Sequence, residues 1–183
     1  MHYSLFDFEQ LGSIRSYKKQ GFKKGDYSPC IIAADTETSK KVTGSDNHIC
    51  AFSIAFRYDN KNIGSIYGNN PNEFIECIQE IRKHLKGHDI YIFFHNLAYD
   101  WVFIRKFMIN AFGEPVKQLN TKPHYPIYIE FENGIMLKDS LILSACNLDK
   151  WGEDLDVEHK KAVGFWDYDK LRSQKTRLSV EEK

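Results

Sequence analysis

The sequence carries no net charge: 25 lysines and arginines are matched by 25 aspartates and glutamates over 183 residues. That balance excludes the strongly basic whole-chain composition of proteins that coat polyanions. Cysteine is scarce. Cys30, Cys50, Cys77 and Cys146 stand far apart with no C-x-x-C pair, which argues against a disulfide scaffold or a zinc site and predicts reduced, mostly buried thiols. No apolar run approaches a membrane span, and the polar opening Met1-His2-Tyr3-Ser4 is not a signal peptide, so no membrane partner is expected and the cytoplasm is the default location. There is no internal repeat and no low-complexity tract. What is present, 42% apolar and 27% charged residues, is the composition of a globular domain with one well-buried core. Two local basic clusters, Lys18, Lys19, Lys23 and Lys24 near the start and Lys170, Arg172, Lys175 and Arg177 near the end, lean towards a polyanion. By themselves they read as solvated faces.

Along the chain, residues 1–27 are polar and basic with three glycines, and read as an arm or short hairpin before the core. Strand signals follow at 30–35, 49–58 and 62–67, the last two joined by a turn at Asp59-Asn60-Lys61. Asn70 and Pro71 suit the start of a helix whose apolar positions Phe74, Ile75, Ile78, Ile81 and Leu85 recur at helical spacing, with Gly87 at its end. A dense apolar strand over 89–94 runs through His95-Asn96-Leu97-Ala98 into a helix from about Tyr99 to Phe112. Strands at about 126–131 and 134–138 turn at Asn133-Gly134, and a helix is predicted over 147–155. Strands first, then helices alternating with strands, predict an α/β domain with a mixed sheet.

The most informative segment is Cys30-Ile31-Ile32-Ala33-Ala34-Asp35-Thr36-Glu37-Thr38. Side chains alternate along a strand, so Asp35 and Glu37 share one face. The apolar run before them reads as a buried central strand that delivers both carboxylates to one spot. Two carboxylates so close repel unless a cation lies between them, and a hard divalent ion is the usual solution. The plain alternative is a surface acid pair at the end of an ordinary strand. Asp100 falls in the first turn of the 99–112 helix, where the helix dipole favours an acid with or without a ligand role. Its neighbours favour the ligand reading: His95 and Asn96 end a second buried strand, and Tyr99 and Phe103 lie four apart on one helix face. Aromatic rings beside an acidic metal site suit a single-stranded nucleic acid, whose bases stack on rings while metal ions hold a phosphate. Phe107 and Phe112 read simply as core.

Asp35-Thr36-Glu37-Thr38 resembles the first motif, D-x-E, of the proofreading 3′–5′ exonucleases of the DEDD superfamily. Phe94-His95-Asn96-Leu97-Ala98-Tyr99-Asp100 resembles their second, N-x-x-x-[F/Y]-D. With His95 before Asn96 and Phe103 three residues past Asp100, the wording is similar to the N-terminal domain of protein-primed family B DNA polymerases of bacteriophages and linear mobile elements. Lys138-Asp139-Ser140-Leu141 is similar to a segment of that group that contacts single-stranded DNA. The resemblance runs from about residue 28 to the end. It implies a ribonuclease H-like exonuclease fold with a mixed central sheet flanked by helices. It also implies two Mg²⁺ or Mn²⁺ ions held by Asp35, Glu37 and Asp100, with Asp35 bridging. Single-stranded DNA would be positioned by Thr38, His95, Asn96, Tyr99, Phe103, Ser140 and Leu141. Lys160 or Lys161 is the nearest match to the family's catalytic basic residue; His159 as a general base lacks the aspartate expected five residues later. Implied partners are single-stranded DNA, a terminal (priming) protein and a polymerase domain of the same parent chain, in a bacterial host cytoplasm.

The family's fourth carboxylate lies in a Y-x-x-x-D motif that this sequence does not show; Leu178-Ser179-Val180-Glu181-Glu182-Lys183 resembles the approach to it. The expectation is therefore a chain cut before that helix and before the polymerase domain, with weak or no activity, and with Asp167 and Asp169 as the first acids to test as substitutes. Two other readings stay open: a non-catalytic nucleic-acid or priming-protein binding module, and a stand-alone ribonuclease of the same superfamily.

Overall fold

The computed structural model describes residues 1–15, 17–18, 26–39, 47–157, 172, 176 and 178–179. Two 3₁₀ turns, Tyr3–Leu5 and Phe8–Ser13, open the chain. The strands and helices that follow are β1 (Tyr17–Lys18), β2 (Asp26–Tyr27), β3 (Ile31–Thr38), β4 (Ile49–Tyr58), β5 (Lys61–Gly68), α1 (Pro71–His84), β6 (His88–Phe94) and α2 (Leu97–Phe112). The chain continues through β7 (Lys117–Lys122), β8 (Tyr125–Glu130), β9 (Ile135–Asp139), α3 (Leu141–Ser144) and α4 (Leu148–Asp154). Among the described residues these form one nine-stranded sheet with the path β5-β4-β3-β6-β9-β8-β7, and β2 joins β6 while carrying β1. The β2–β6, β3–β6 and β6–β9 pairs are parallel and the others antiparallel. The expected α/β domain with a mixed sheet is what forms.

Alternation decides which sheet face is covered. Ile32, Ala34 and Thr36 of β3 and Ile90, Ile92 and Phe94 of β6 are buried, whereas Ile31, Ala33 and Asp35 are exposed. Helices α1 and α2 pack on the buried face. The first of them starts as its sequence predicts: the Asn70 side chain accepts from the Asn72 and Glu73 amides, and Pro71 takes the first helical position. It ends at Leu85, and Gly87 supplies φ of 86° just beyond. The β4–β5 hairpin turns on Asp59 and Asn60, both at positive φ, as a two-residue turn of this twist requires. Cys30, Cys50 and Cys77 are buried and Cys146 is half-buried, all as thiols outside any disulfide. Burial pushes the Cys30 thiol up to about 11, so it is inert at neutral pH.

Four expectations need correction. The opening segment is not an arm outside the core: Phe6, Phe8, Leu11 and Ile14 are buried in the main cluster, and Phe6 stacks on Phe56 at 5.0 Å. Their polar neighbours hid them, because 3₁₀ turns bury residues without a helical period. The hairpin part of that expectation does form, as β1 with β2. The first long strand runs to Thr38 rather than 35, so Asp35 and Glu37 sit inside it, with a register shift between Glu37 and Thr38. β7 was not expected at all, since Lys-Gln-Leu-Asn-Thr-Lys is exposed at every position and shows no apolar alternation. The short α3 was missed for lack of length. Leu11→Ala is expected to cost about 2–5 kcal/mol of stability, because Leu11 is 0% exposed. A chemical-denaturation midpoint unchanged from wild type would show that the opening segment is not part of the core.

Candidate active site

β3 and β6 lie side by side and parallel, with Ile32 opposite Ile92 and Ala33 opposite Phe93. Their C-terminal ends therefore open at one end of the sheet, where parallel sheets gather functional groups. β3 ends in Asp35-Thr36-Glu37-Thr38. β6 turns through His95 and Asn96 into α2, and Asn96 makes the corner in the left-handed region, φ 77° and ψ 56°. Asp100, one turn into α2, is 2% exposed. The Thr36 amide donates to its Oδ1 at 3.1 Å and the Thr36 hydroxyl to the same oxygen at 2.7 Å. The middle residue of one motif thus clamps the acid of the other across 64 positions of sequence.

Burial pushes the Asp100 carboxyl up to about 6, against the Thr36 bonds that pull it down, and the negative charge of Asp35 adds to the rise. Asp35 and Asp100 thus feel each other directly. Asp35 is exposed and Glu37, two residues on, is half-buried. Among the described residues, no three histidine, cysteine or acidic side chains gather into a metal-holding group. Of the three carboxylates expected to share a metal site, Asp35 and Asp100 are linked by this charge effect, and Glu37 lies two residues beyond Asp35 on β3. In donor chemistry the site fits a hard divalent cation: the residues offer carboxylate oxygens, and a positive ion would favour the ionised form of Asp100 against its burial and the charge of Asp35. Asp35, Asp100 and Glu37 are the residues that could hold it.

The other expected residues fall into two clusters. At one, the Thr38 hydroxyl lies 2.7 Å from the Tyr99 hydroxyl, and the Tyr99 and Phe103 rings are 5.3 Å apart. Tyr99 is 48% exposed and Phe103 packs partly against the core, so the pair offers a supported ring to solvent. At the other, His95 Nδ1 is 3.1 Å from the Ser140 hydroxyl and Nε2 is 3.1 Å from the Cys146 carbonyl. Ser140 also donates to the Phe94 carbonyl at 3.1 Å. Asn96 and Leu141 enter through their backbone: both amides donate to Asp139 Oδ1, at 3.0 and 2.9 Å. Lys160, Lys161, His159, Asp167 and Asp169 lie outside the described residues.

Sequence reasoning missed three contributors. Thr36 was read only as a spacer. Asp139, 9% exposed, was quoted within a motif without a role, although an aspartate directly after a buried strand is a signal for an Asx turn. Trp151 stacks on His95 with 6.0 Å between centroids and a 25° interplanar angle, a contact no local pattern announces. Beside them a groove of about 510 Å³ runs along the uncovered sheet face, lined by Ala33, Asp35, Phe93, His95, Ser140 and Trp151 among others.

A mixed central sheet flanked by helices, with Asp35 on one central strand and Asp100 on the helix that follows its parallel neighbour, is the ribonuclease H-like α/β arrangement. That fold is shared with Phi29 DNA polymerase complexed with single-stranded DNA: TM-score 0.67, 19% identity, over 84% of this chain and 28% of that one. It is shared likewise with Phi29 DNA polymerase in a ternary complex with primer-template DNA and incoming nucleotide substrates, at TM-score 0.65 and 18% identity over 84% and 27% of the two chains. At such identities the likeness is one of fold, and it agrees with the resemblance carried by the motifs. The chain spans little more than a quarter of the length of these relatives. No protein-family model and no curated protein matches the sequence significantly.

Proposed function

We propose that this chain is a 3′–5′ exonuclease module of the DNA-polymerase type, hydrolysing the terminal phosphodiester of single-stranded DNA. The observation that carries the reading is the Asp35–Thr36–Asp100 arrangement: two interacting carboxylates, one on β3 and one in the first turn of the helix that follows the neighbouring β6, the latter buried and fixed by two hydrogen bonds. A divalent ion held by Asp35, Glu37 and Asp100 would supply activation of a water and charge neutralisation at the leaving oxygen. The new P–O bond comes from water and the broken one frees the 3′ oxygen, so each turnover releases one nucleoside 5′-monophosphate. Thr36 holds Asp100 in one orientation. Tyr99, braced by Thr38 and Phe103, offers a face for a base, worth about 1–3 kcal/mol in stacking. Asp100 serves as a ligand only when ionised, so activity is expected to rise through about pH 6. The structural relatives, a DNA polymerase solved with bound single-stranded or primer-template DNA, support the substrate class.

The test incubates 3′-labelled and 5′-labelled DNA and RNA oligonucleotides with Mg²⁺ or Mn²⁺. Wild type is expected to release mononucleotides slowly from DNA 3′ ends, and Asp35→Asn to lose about 10²–10³-fold in rate. Equal rates in the two proteins would end the proposal; faster digestion of RNA would turn it to a ribonuclease. A non-catalytic binding module is the second reading, favoured by the lack of a three-ligand group among the described residues. It would appear as DNA binding without metal-dependent cutting.

A further inference from the structure

We propose that the β7–β8 hairpin and the groove at its base form a second contact surface for the same DNA strand, remote from the carboxylates. This rests on the exonuclease reading for the identity of the strand. From Pro115 to Ile129 the sequence holds no aspartate or glutamate, but has Lys117, Lys122 and His124. β7 is exposed along its whole length. Every cation–π contact among the described residues lies here: Lys117 over Tyr128 at 5.5 Å, Lys122 over Tyr125 at 3.9 Å, and Lys138 over Tyr91 at 4.1 Å and Tyr128 at 5.9 Å. Stacking on rings holds long cationic side chains in place. Two of the acids nearby are engaged: Glu130 accepts the Tyr128 hydroxyl at 2.7 Å, and Asp139 Oδ1 takes two backbone amides.

A groove of about 390 Å³ containing Lys117, Leu119, Tyr128 and Lys138 shares Phe93 and Leu143 as walls with the larger groove at Asp35. The two therefore adjoin on one sheet face. From β3 to β7 there are four inter-strand steps, about 19 Å at about 4.8 Å each. That distance matches about six nucleotides at about 3.4 Å per stacked step. Phosphates would meet Lys117 and Lys122, and bases would meet Tyr125, 46% exposed, and Leu119, 48% exposed. A cationic and aromatic ribbon whose one acid, Glu130 opposite Lys117, sits at its base and accepts the Tyr128 hydroxyl is complementary to a single strand, in which every phosphate is charged and every base has a face.

The test is fluorescence anisotropy with 5′-labelled thymidylate oligomers of 3 and 10 nucleotides, in chelator so that nothing is cut. Wild type is expected to bind the 10-mer at least about tenfold more tightly than the 3-mer. The double variant Lys117→Ala/Lys122→Ala should lose about tenfold on the 10-mer and nothing on the 3-mer. Its slope of log affinity against log salt should fall by about 1.4, two phosphates at about 0.7 each. Both lysines are exposed, so folding is not at stake. Equal binding of both lengths by wild type, an unchanged 10-mer affinity in the variant, or the same loss on both lengths would overturn the second surface. Loss on the 10-mer in a protein that never cuts with metal present would instead overturn the exonuclease reading and leave the surface standing. Binding to neither oligomer would overturn both.

Discussion

Asp100→Asn is expected to stabilise the fold while abolishing activity. In the folded chain the Asp100 carboxyl is pushed up from 3.8 to about 6, chiefly by burial. A raised carboxyl value means the fold prefers the protonated form. Its contribution to stability is full below about pH 4 and is lost as pH rises through about 6. At about 1.4 kcal/mol per pH unit, holding the buried carboxylate ionised at pH 7.5 costs about 3 kcal/mol. Asparagine stays neutral, and its oxygen accepts the same two donations from Thr36. The variant should therefore be about 2–3 kcal/mol more stable than wild type at pH 7.5 and equal to it near pH 4, measured by urea denaturation at both pH values. Millimolar Mn²⁺ should raise the melting temperature of wild type and leave the variant unmoved, because the ion would offset the same charge. Exonuclease rate should fall by about 10²–10³-fold. A variant less stable than wild type at pH 7.5 would mean that Asp100 is ionised in the fold at little cost, and that its burial carries no functional strain.

Part of the site was legible in the sequence because carboxylates stand out in apolar surroundings: Asp35 and Glu37 interrupt an apolar strand, and Asp100 follows another at the start of a mostly apolar helix. The strands themselves were readable because burial imposes a period, as in Ile32, Ala34 and Thr36. Where burial imposes no period, reading failed. β7 is exposed on both faces, and Phe6, Phe8 and Leu11 are buried from 3₁₀ turns. Long-range contacts were also invisible. That Thr36 clamps Asp100, or that Trp151 lies on His95, depends on which strands become neighbours, and no local pattern encodes that. The parallel β3–β6 pairing turns two separate motifs into one site.

The corner that carries that site is held by Asp139, and Asp139→Ala is expected to be the most damaging single change near it. Oδ1 of Asp139 accepts the amides of Asn96 and Leu141 at 3.0 and 2.9 Å. Asn96 sits at φ 77°, a left-handed conformation that asparagine adopts more readily than other residues with a side chain. The carboxylate therefore fixes the turn between β6 and α2 and the first amide of α3 at once. Alanine leaves two partly buried amides without an acceptor, at about 1–3 kcal/mol each, so a loss of about 2–5 kcal/mol is expected in denaturation. Asp139→Asn keeps an acceptor oxygen and should lose only about 1 kcal/mol, the charge-assisted part of the bonds. Hydrogen exchange at the Asn96 and Leu141 amides should quicken together in the alanine variant and stay slow in the asparagine one. His95 and Asp100 both ride on this corner, so DNA binding should weaken with the alanine variant even under conditions where it remains folded. If asparagine proves as harmful as alanine, the negative charge rather than the hydrogen-bonded geometry is what Asp139 contributes. If alanine is harmless, the corner is held by α2 packing alone.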